Sequence, residues 1–97
     1  MKMIYKYPLN IDALCHNAVY EIEMPRNAKI LDVQMQGSIP VIWAIVNPKK
    51  EKRKYVFHVF GTGFEMGDYD KKHYEYISTI QQNGMTTLVW HIFEVHE

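Results

Sequence analysis

A glycine-flanked threonine, Gly61-Thr62-Gly63, is the segment of this chain best suited to hold an anion. Consecutive backbone N–H groups at glycines can form a concave anion-binding nest, and the Thr62 hydroxyl adds a donor. A phosphate loop would continue directly into a helix, and no helical pattern follows here. The alternative is a turn that ends a strand and uses glycine for a positive φ.

Basic residues concentrate in one place, between Lys49 and Lys54, where Arg53 has four lysines around it. This run is either a solvated loop or a surface for an acidic partner or a phosphorylated ligand. The whole chain balances 11 Lys and Arg against 11 Asp and Glu. We therefore expect no non-specific binding to nucleic acid, which would need a wider basic face.

Two tryptophans complete a set that a small nucleotide pocket would use. Trp43 and Trp90 can stack on a base, although aromatic residues at strand spacing equally suit a core. His91 lies mid-strand beside Trp90, where a neutral imidazole bonded to a hydroxyl is the structural alternative. The predicted ligand site comprises Trp43, Arg53, Gly61, Thr62, Gly63, Trp90 and His91.

Metal-binding and catalytic motifs are missing from the sequence. The five histidines and Cys15 show no C-x-x-C, H-E-x-x-H or zinc-finger spacing, so we predict no metal and no cofactor. Ser38 and Ser78 lie on no G-x-S-x-G elbow, and Cys15 beside His16 is not by itself a dyad. The sequence therefore favours a protein that is not an enzyme.

The elements that position these residues are strands. Residues 28–46 alternate apolar and polar side chains, turn at Gly37-Ser38, and return as the wholly apolar run Ile42 to Val46. Such a run predicts a central strand covered on both faces. A two-residue loop would pair Leu31 with Ala44 and place Trp43 on the face of Asp32. One more residue in the loop would instead place Trp43 on the face of Leu31, Val33 and Met35.

The remaining strands follow from the same alternation. Pro8 places the first strand at an edge, and Asn27 suits a left-handed turn before the central hairpin. Residues 47–54 read as a basic hairpin loop, and residues 64–73 as a long polar loop. Asn83-Gly84 predicts a C-terminal hairpin whose two-residue turn would pair Ile77 with Trp90.

Length and composition predict a single β domain over residues 1–97, with about seven antiparallel strands in a small sandwich or partly closed barrel. One cysteine, no signal-peptide pattern and no apolar run of membrane-spanning length predict a cytoplasmic protein without membrane contact.

The chain carries, in this order, the motifs KYPL, EMPRNAKIL, IWAIVNP, FGTG and VWHIFE. With these ordered motifs it resembles a family of small phage and prophage proteins carried as a domain of unknown function. Asn27 stands where the family usually has Gly, and Phe64 where it usually has His. The resemblance implies a viral or prophage origin, a bacterial host cytoplasm, and no known enzyme activity.

From this resemblance we expect a non-enzymatic counter-defence protein that binds a host immune effector or sequesters a nucleotide-type small molecule, in the manner of homo-oligomeric sequestering proteins. Two alternatives remain: a virion or assembly accessory protein that pairs through a strand edge, and a small metal- or Cys/His-dependent enzyme.

Overall fold

The computed structural model describes residues 1–11, 17–67, 69–83 and 87–96. These residues form an all-β fold whose strands are β1 (Met3–Pro8), β2 (Asn17–Pro25), β3 (Lys29–Gln36), β4 (Ile39–Val46), β5 (Lys52–Gly61), β6 (His73–Asn83) and β7 (Thr87–His96). One sheet has the order β1-β4-β3 and the other β2-β5-β7-β6, and every pairing is antiparallel. The prediction of a seven-stranded antiparallel sandwich is confirmed.

The core lies between the inner faces of the two sheets. β4 supplies Ile42, Ala44 and Val46 from the three-stranded sheet, each 1% exposed or less. The four-stranded sheet faces them with the fully buried β5 and β7 side chains Phe57, Val59, Trp90 and Ile92. Each large apolar side chain buried in this way contributes roughly 1.5–3 kcal/mol to folding.

β4 is the central strand of its sheet, as predicted, but its two faces are covered unequally. The inner face is closed, whereas Trp43 and Ile45 on the outer face are only half-buried. Neighbouring side chains on this outer face are more open, with Ile4 63% exposed. The prediction that both faces of this strand are covered is thus wrong for the outer face. Among the described residues, no second layer packs on the outer face.

The hairpin of β3 and β4 uses the two-residue turn, with Gly37 at φ 63°. Asp32 lies opposite Trp43, so Trp43 shares the outer face with Asp32. The predicted pairing of Leu31 with Ala44 is wrong, because a bulge at Leu31 places Ile30 opposite Ala44 instead. The bulge turns Ile30 towards the core and leaves Leu31 42% exposed.

The turn after β2 carries the chain from one sheet to the other. Asn27 adopts φ 64°, the left-handed conformation predicted for it. The Tyr55 hydroxyl donates to the Pro25 carbonyl at 3.1 Å and accepts from the Ala28 N–H at 3.0 Å. These two hydrogen bonds hold the turn between the sheets against β5.

The basic segment is not a hairpin loop. β4 and β5 belong to different sheets, so the connection between them is a crossover. Lys52, Arg53 and Lys54 already belong to β5, where they pair with the end of β2. The correction matters because strand geometry, not a loop, fixes the direction of Arg53.

The C-terminal hairpin exists, but its predicted register is wrong. Asn83 pairs with Thr87 and Ile80 with Trp90, so three residues (84–86, outside the described part) separate the strands instead of two. A bulge at Ile77 shifts the register once more, and Tyr76 then pairs with Phe93. The Ser78 hydroxyl donates to the Val33 carbonyl at 2.8 Å and so links the two sheets.

The described residues contain no helix with the length and hydropathy needed to cross a membrane. The polar composition of residues 10–17, with Asp12, His16 and two Asn, predicts a loop or a single helical turn; residues 12–16 of this segment, with Cys15 and His16, lie outside the described part.

Candidate functional site

A cleft of about 860 Å³ lies at the end of the four-stranded sheet where β5 begins and β7 ends. Apolar surface comes from Ile30, Tyr55, Val56 and Val95, and charged side chains surround it. A volume of this size falls within the range of small-molecule sites. The charged lining comprises Glu21, Arg26, Lys29, Arg53, Lys54, Glu75, Glu94 and His96.

One side of the cleft is cationic. Arg53 donates to the Glu51 carboxylate at 2.7 Å, and Arg26 lies 3.4 Å from the same oxygen. Lys54 lies 3.5 Å from Glu21. All these side chains are about half exposed or more, so the ion pairs are weak and a ligand anion can compete for the cations. Of the predicted ligand residues, Arg53 lines this cleft.

The other side of the cleft is acidic. Glu75 and Glu94 lie directly opposite each other on β6 and β7, and the His96 imidazole joins them. His96 Nε2 is 2.8 Å from a Glu75 carboxylate oxygen and 3.8 Å from one of Glu94. Burial raises the pKa of the Glu94 carboxyl above its usual value; the Glu75 charge adds to this rise and His96 opposes it.

Sequence reasoning missed this trio. A histidine near the end of the chain, such as His96, is expected to be solvated, and Glu75 and Glu94 are distant in sequence. The sequence nevertheless contains the three residues in two short motifs, H-x-E over residues 73–75 and E-x-H over residues 94–96. Alternation along a strand places the two members of each motif on one face, and only the register of β6 against β7 brings the motifs together.

A chain of hydrogen bonds centred on His91 begins at Thr62, beyond the other end of β5, and crosses the outer face of the four-stranded sheet. His91 Nε2 lies 2.7 Å from the Thr62 hydroxyl, and His91 Nδ1 lies 3.0 Å from the Thr79 hydroxyl. The Thr79 oxygen is in turn 2.8 Å from the Tyr76 hydroxyl. The structure thus brings Thr62 and His91 together, next to Gly61 and Gly63, with both imidazole nitrogens partnered.

The predicted ligand residues do not form one site. Arg53 and Gly61 are eight residues apart on β5, which corresponds to roughly 25 Å along an extended strand. A single nucleotide phosphate cannot contact Arg53 and the Gly61-Thr62-Gly63 turn together. Of the two, only Arg53 lines the large cleft.

The two tryptophans are also separated. Trp90 is 1% exposed in the core and donates its Nε1 proton to the Gln82 side chain at 3.1 Å, so no face of its ring is open to a base. Trp43 lies on the outer face of the other sheet. Its Nε1 is buried without a hydrogen-bond partner among the described residues.

His58 is the second mid-strand histidine, and it has a structural setting. Its Nδ1 lies 3.0 Å from the Tyr74 hydroxyl, and its Nε2 is bonded to the Asn17 side-chain oxygen. The ring stacks on Phe60 with centroids 4.0 Å apart. Tyr69, from the segment between β5 and β6, stacks on Tyr74 and so extends this aromatic cluster over the outer face of the sheet.

Comparison with known proteins gives one result. A family with the description "Domain of unknown function (DUF7352)" matches residues 1–97. No curated protein and no solved structure matches the chain. The chain belongs to the DUF7352 family of domains of unknown function.

Proposed function

We propose that this chain is a non-enzymatic phage or prophage accessory protein that counters host immunity in the bacterial cytoplasm by sequestering an anionic, nucleotide-type signal. The ordered motifs shared with small phage and prophage proteins support the origin. The cleft supports the ligand class, because it combines cations for phosphate with apolar surface for a base.

The observation that carries this proposal is the position of four cationic side chains around one cleft: Arg26, Lys29, Arg53 and Lys54. Glu21, Glu75 and Glu94 line the same cleft, so the positive charge is confined to the side that carries these four residues. Glu51 holds Arg26 and Arg53 near each other through a shared carboxylate oxygen. Two guanidinium groups at neighbouring positions suit the multiple oxygens of a phosphate or diphosphate.

A thermal-shift screen with EDTA present tests the proposal. The panel contains mononucleotides, cyclic dinucleotides and ADP-ribose-type nucleotides, and we expect at least one to raise the melting temperature. Arg53→Ala removes a charged donor worth about 1.5–3 kcal/mol, so the Kd rises by roughly tenfold to 150-fold. Lys71→Ala, an exposed lysine that does not line the cleft, is the matched control. No shift with any nucleotide contradicts the proposal.

We also propose that the protein self-associates through the outer face of the three-stranded sheet. Trp43 lies between Lys6 on β1 and Asp32 on β3. A two-fold axis through Trp43 and parallel to β4 would place Lys6 of one copy over Asp32 of the other, which makes the face self-complementary. The surrounding apolar side chains Ile4, Ile39 and Leu31 are 63%, 48% and 42% exposed.

Light scattering after size exclusion tests this association. The wild-type protein should run as a dimer and Trp43→Lys as a monomer, whereas Val19→Lys, on the outer face of the other sheet, should remain a dimer. A wild-type monomer at every concentration contradicts self-association. That result would favour the other form of counter-defence, in which this face binds a host effector directly and Trp43→Lys abolishes capture of that effector.

A further inference from the structure

Two strands of the four-stranded sheet place four metal-ligating residues on one face. Glu75 lies opposite Glu94, and two positions along the strands His73 lies opposite His96. In an antiparallel sheet, residues two apart point to the same face, and directly opposed Cβ atoms are about 4.5–5.5 Å apart. The arrangement is therefore a compact square of two carboxylates and two imidazoles.

Three of these groups already converge. One ligand atom each from Glu75, Glu94 and His96 lies within 4.8 Å of the others. His96 Nε2 is 2.8 Å from Glu75 and 3.8 Å from Glu94. Ligands on a tetrahedral zinc ion with bonds of about 2.0–2.2 Å are roughly 3.3–3.6 Å apart, so the two distances bracket the required spacing.

Glu94 gives the independent reason to expect a cation. It is 8% exposed, lines the cleft, and faces another carboxylate directly across the sheet. Among the described residues its carboxylate accepts no hydrogen bond, and its one ion-pair partner is His96 at 3.8 Å. Buried carboxylates are normally hydrogen-bonded, paired with a cation, or bound to a metal.

We propose that Glu75, Glu94 and His96 bind a divalent transition-metal ion at the acidic side of the cleft. Two carboxylate oxygens and one imidazole nitrogen suit zinc better than magnesium, which prefers oxygen ligands alone. Three protein ligands leave a coordination position open towards the cleft. This inference goes beyond the proposed function and does not depend on it, since it concerns the metal alone.

Zinc titration of the untagged, metal-stripped full chain tests the inference, with no nucleotide present. We expect saturable binding of one zinc ion per chain in calorimetry. At about one hundred times Kd, zinc should raise the melting temperature by roughly 10–20 °C, and EDTA should reverse the rise. Glu94→Gln keeps the shape of the side chain but removes a proposed ligand. Loss of a group that only hydrogen-bonds a metal ligand lowers metal affinity by roughly tenfold to 100-fold, so Glu94→Gln should lower zinc affinity by more than that.

Two further variants complete the test. His96→Ala should weaken zinc binding to a similar extent as Glu94→Gln. Glu23→Gln, an exposed carboxylate on β2 that does not line the cleft, should bind zinc as the wild-type chain does. An absence of zinc binding, or zinc binding that Glu94→Gln and His96→Ala leave unchanged, overturns the inference. Because the nucleotide screen is run in EDTA, either proposal can fail without the other.

Discussion

The two ends of the four-stranded sheet differ in how completely their polar groups are partnered. At the Thr62 end, hydroxyls and an imidazole form a hydrogen-bonded chain in which both His91 nitrogens are bonded. At the cleft end, a buried carboxylate faces another carboxylate, and cations are held only by exposed ion pairs. Full partnering stabilises a fold, whereas a set of poorly compensated charges is typical of a binding site.

If the Thr62 end mainly stabilises the fold, substitutions there should lower the free energy of unfolding. Trp90, which pairs with Gly61 at that end, should give the largest decrease. Trp90→Ala should destabilise the fold by about 3–5 kcal/mol, because it leaves a cavity in the core beside Gly61. Denaturant unfolding measures the change. The half-buried Trp43 serves as the comparison residue, and Trp43→Ala should cost clearly less. Equal losses for the two variants would contradict the assignment of Trp90 to the core and Trp43 to the surface.

Thr79→Val tests the chain of hydrogen bonds through His91. The variant keeps the shape of the side chain but removes the hydroxyl between His91 and Tyr76, so we expect a loss of roughly 0.5–1.5 kcal/mol in unfolding free energy. Thr87→Val, which loses only a long 3.5 Å hydrogen bond to Asn83 at an exposed position of the same hairpin, is the control. No loss of stability in Thr79→Val would show that the chain of hydrogen bonds is not structural.

Glu94→Gln tests the opposite end and should change stability in the opposite direction. Removing one of two opposed like charges should stabilise the metal-free protein by about 0.2–1 kcal/mol at neutral pH. Burial raises the pKa of Glu94 in the folded state. The protonated Glu94 carboxyl therefore stabilises the folded state in acid, and this stabilisation is lost as pH rises through that pKa.

The advantage of Glu94→Gln should therefore disappear in acid, below the pKa of the unfolded carboxyl. Melting temperatures of variant and wild type, measured in EDTA from acid to neutral pH, give this pH dependence. The control Glu23→Gln should show no pH-dependent difference from wild type. A variant that is less stable than wild type at neutral pH would contradict the description of the cleft end as poorly compensated.

Arg53→Ala should have the smallest effect on stability. Its ion pair with Glu51 is about half exposed, and such pairs contribute roughly 0–1 kcal/mol. Chemical denaturation should therefore show near wild-type stability even where nucleotide affinity falls. A large loss of stability would mean that Arg53 holds the crossover between the sheets and is not a ligand-binding residue.

The sequence predicted those parts of the fold that depend on neighbouring residues. Alternation located β2, and the residue types at Asn27 and Gly37 identified the turns where positive φ occurs. These features follow from local sterics. The bulges at Leu31 and Ile77 could not be predicted in this way, because they depend on which residues of one sheet must face the other.

The candidate site depended on those unpredicted features. Had the C-terminal hairpin closed with a two-residue turn, Glu75 would lie opposite Ile92, and no acidic pair would exist. The observed loop and the bulge at Ile77 together place Glu75 opposite Glu94. Arg53 was identified from its basic surroundings, but its separation from Gly61 followed only once Lys52–Gly61 was known to be a single strand.

The measurement that tests the account most directly is an NMR titration of isotope-labelled protein, in EDTA, with the nucleotide that gives the largest thermal shift. Binding at the cleft predicts that amide shifts change along Arg53 to Val56 and along Glu94 to His96, while those of Thr62, Thr79 and His91 stay in place. Changes centred on Thr62 and His91, with the cleft residues unaffected, would contradict it.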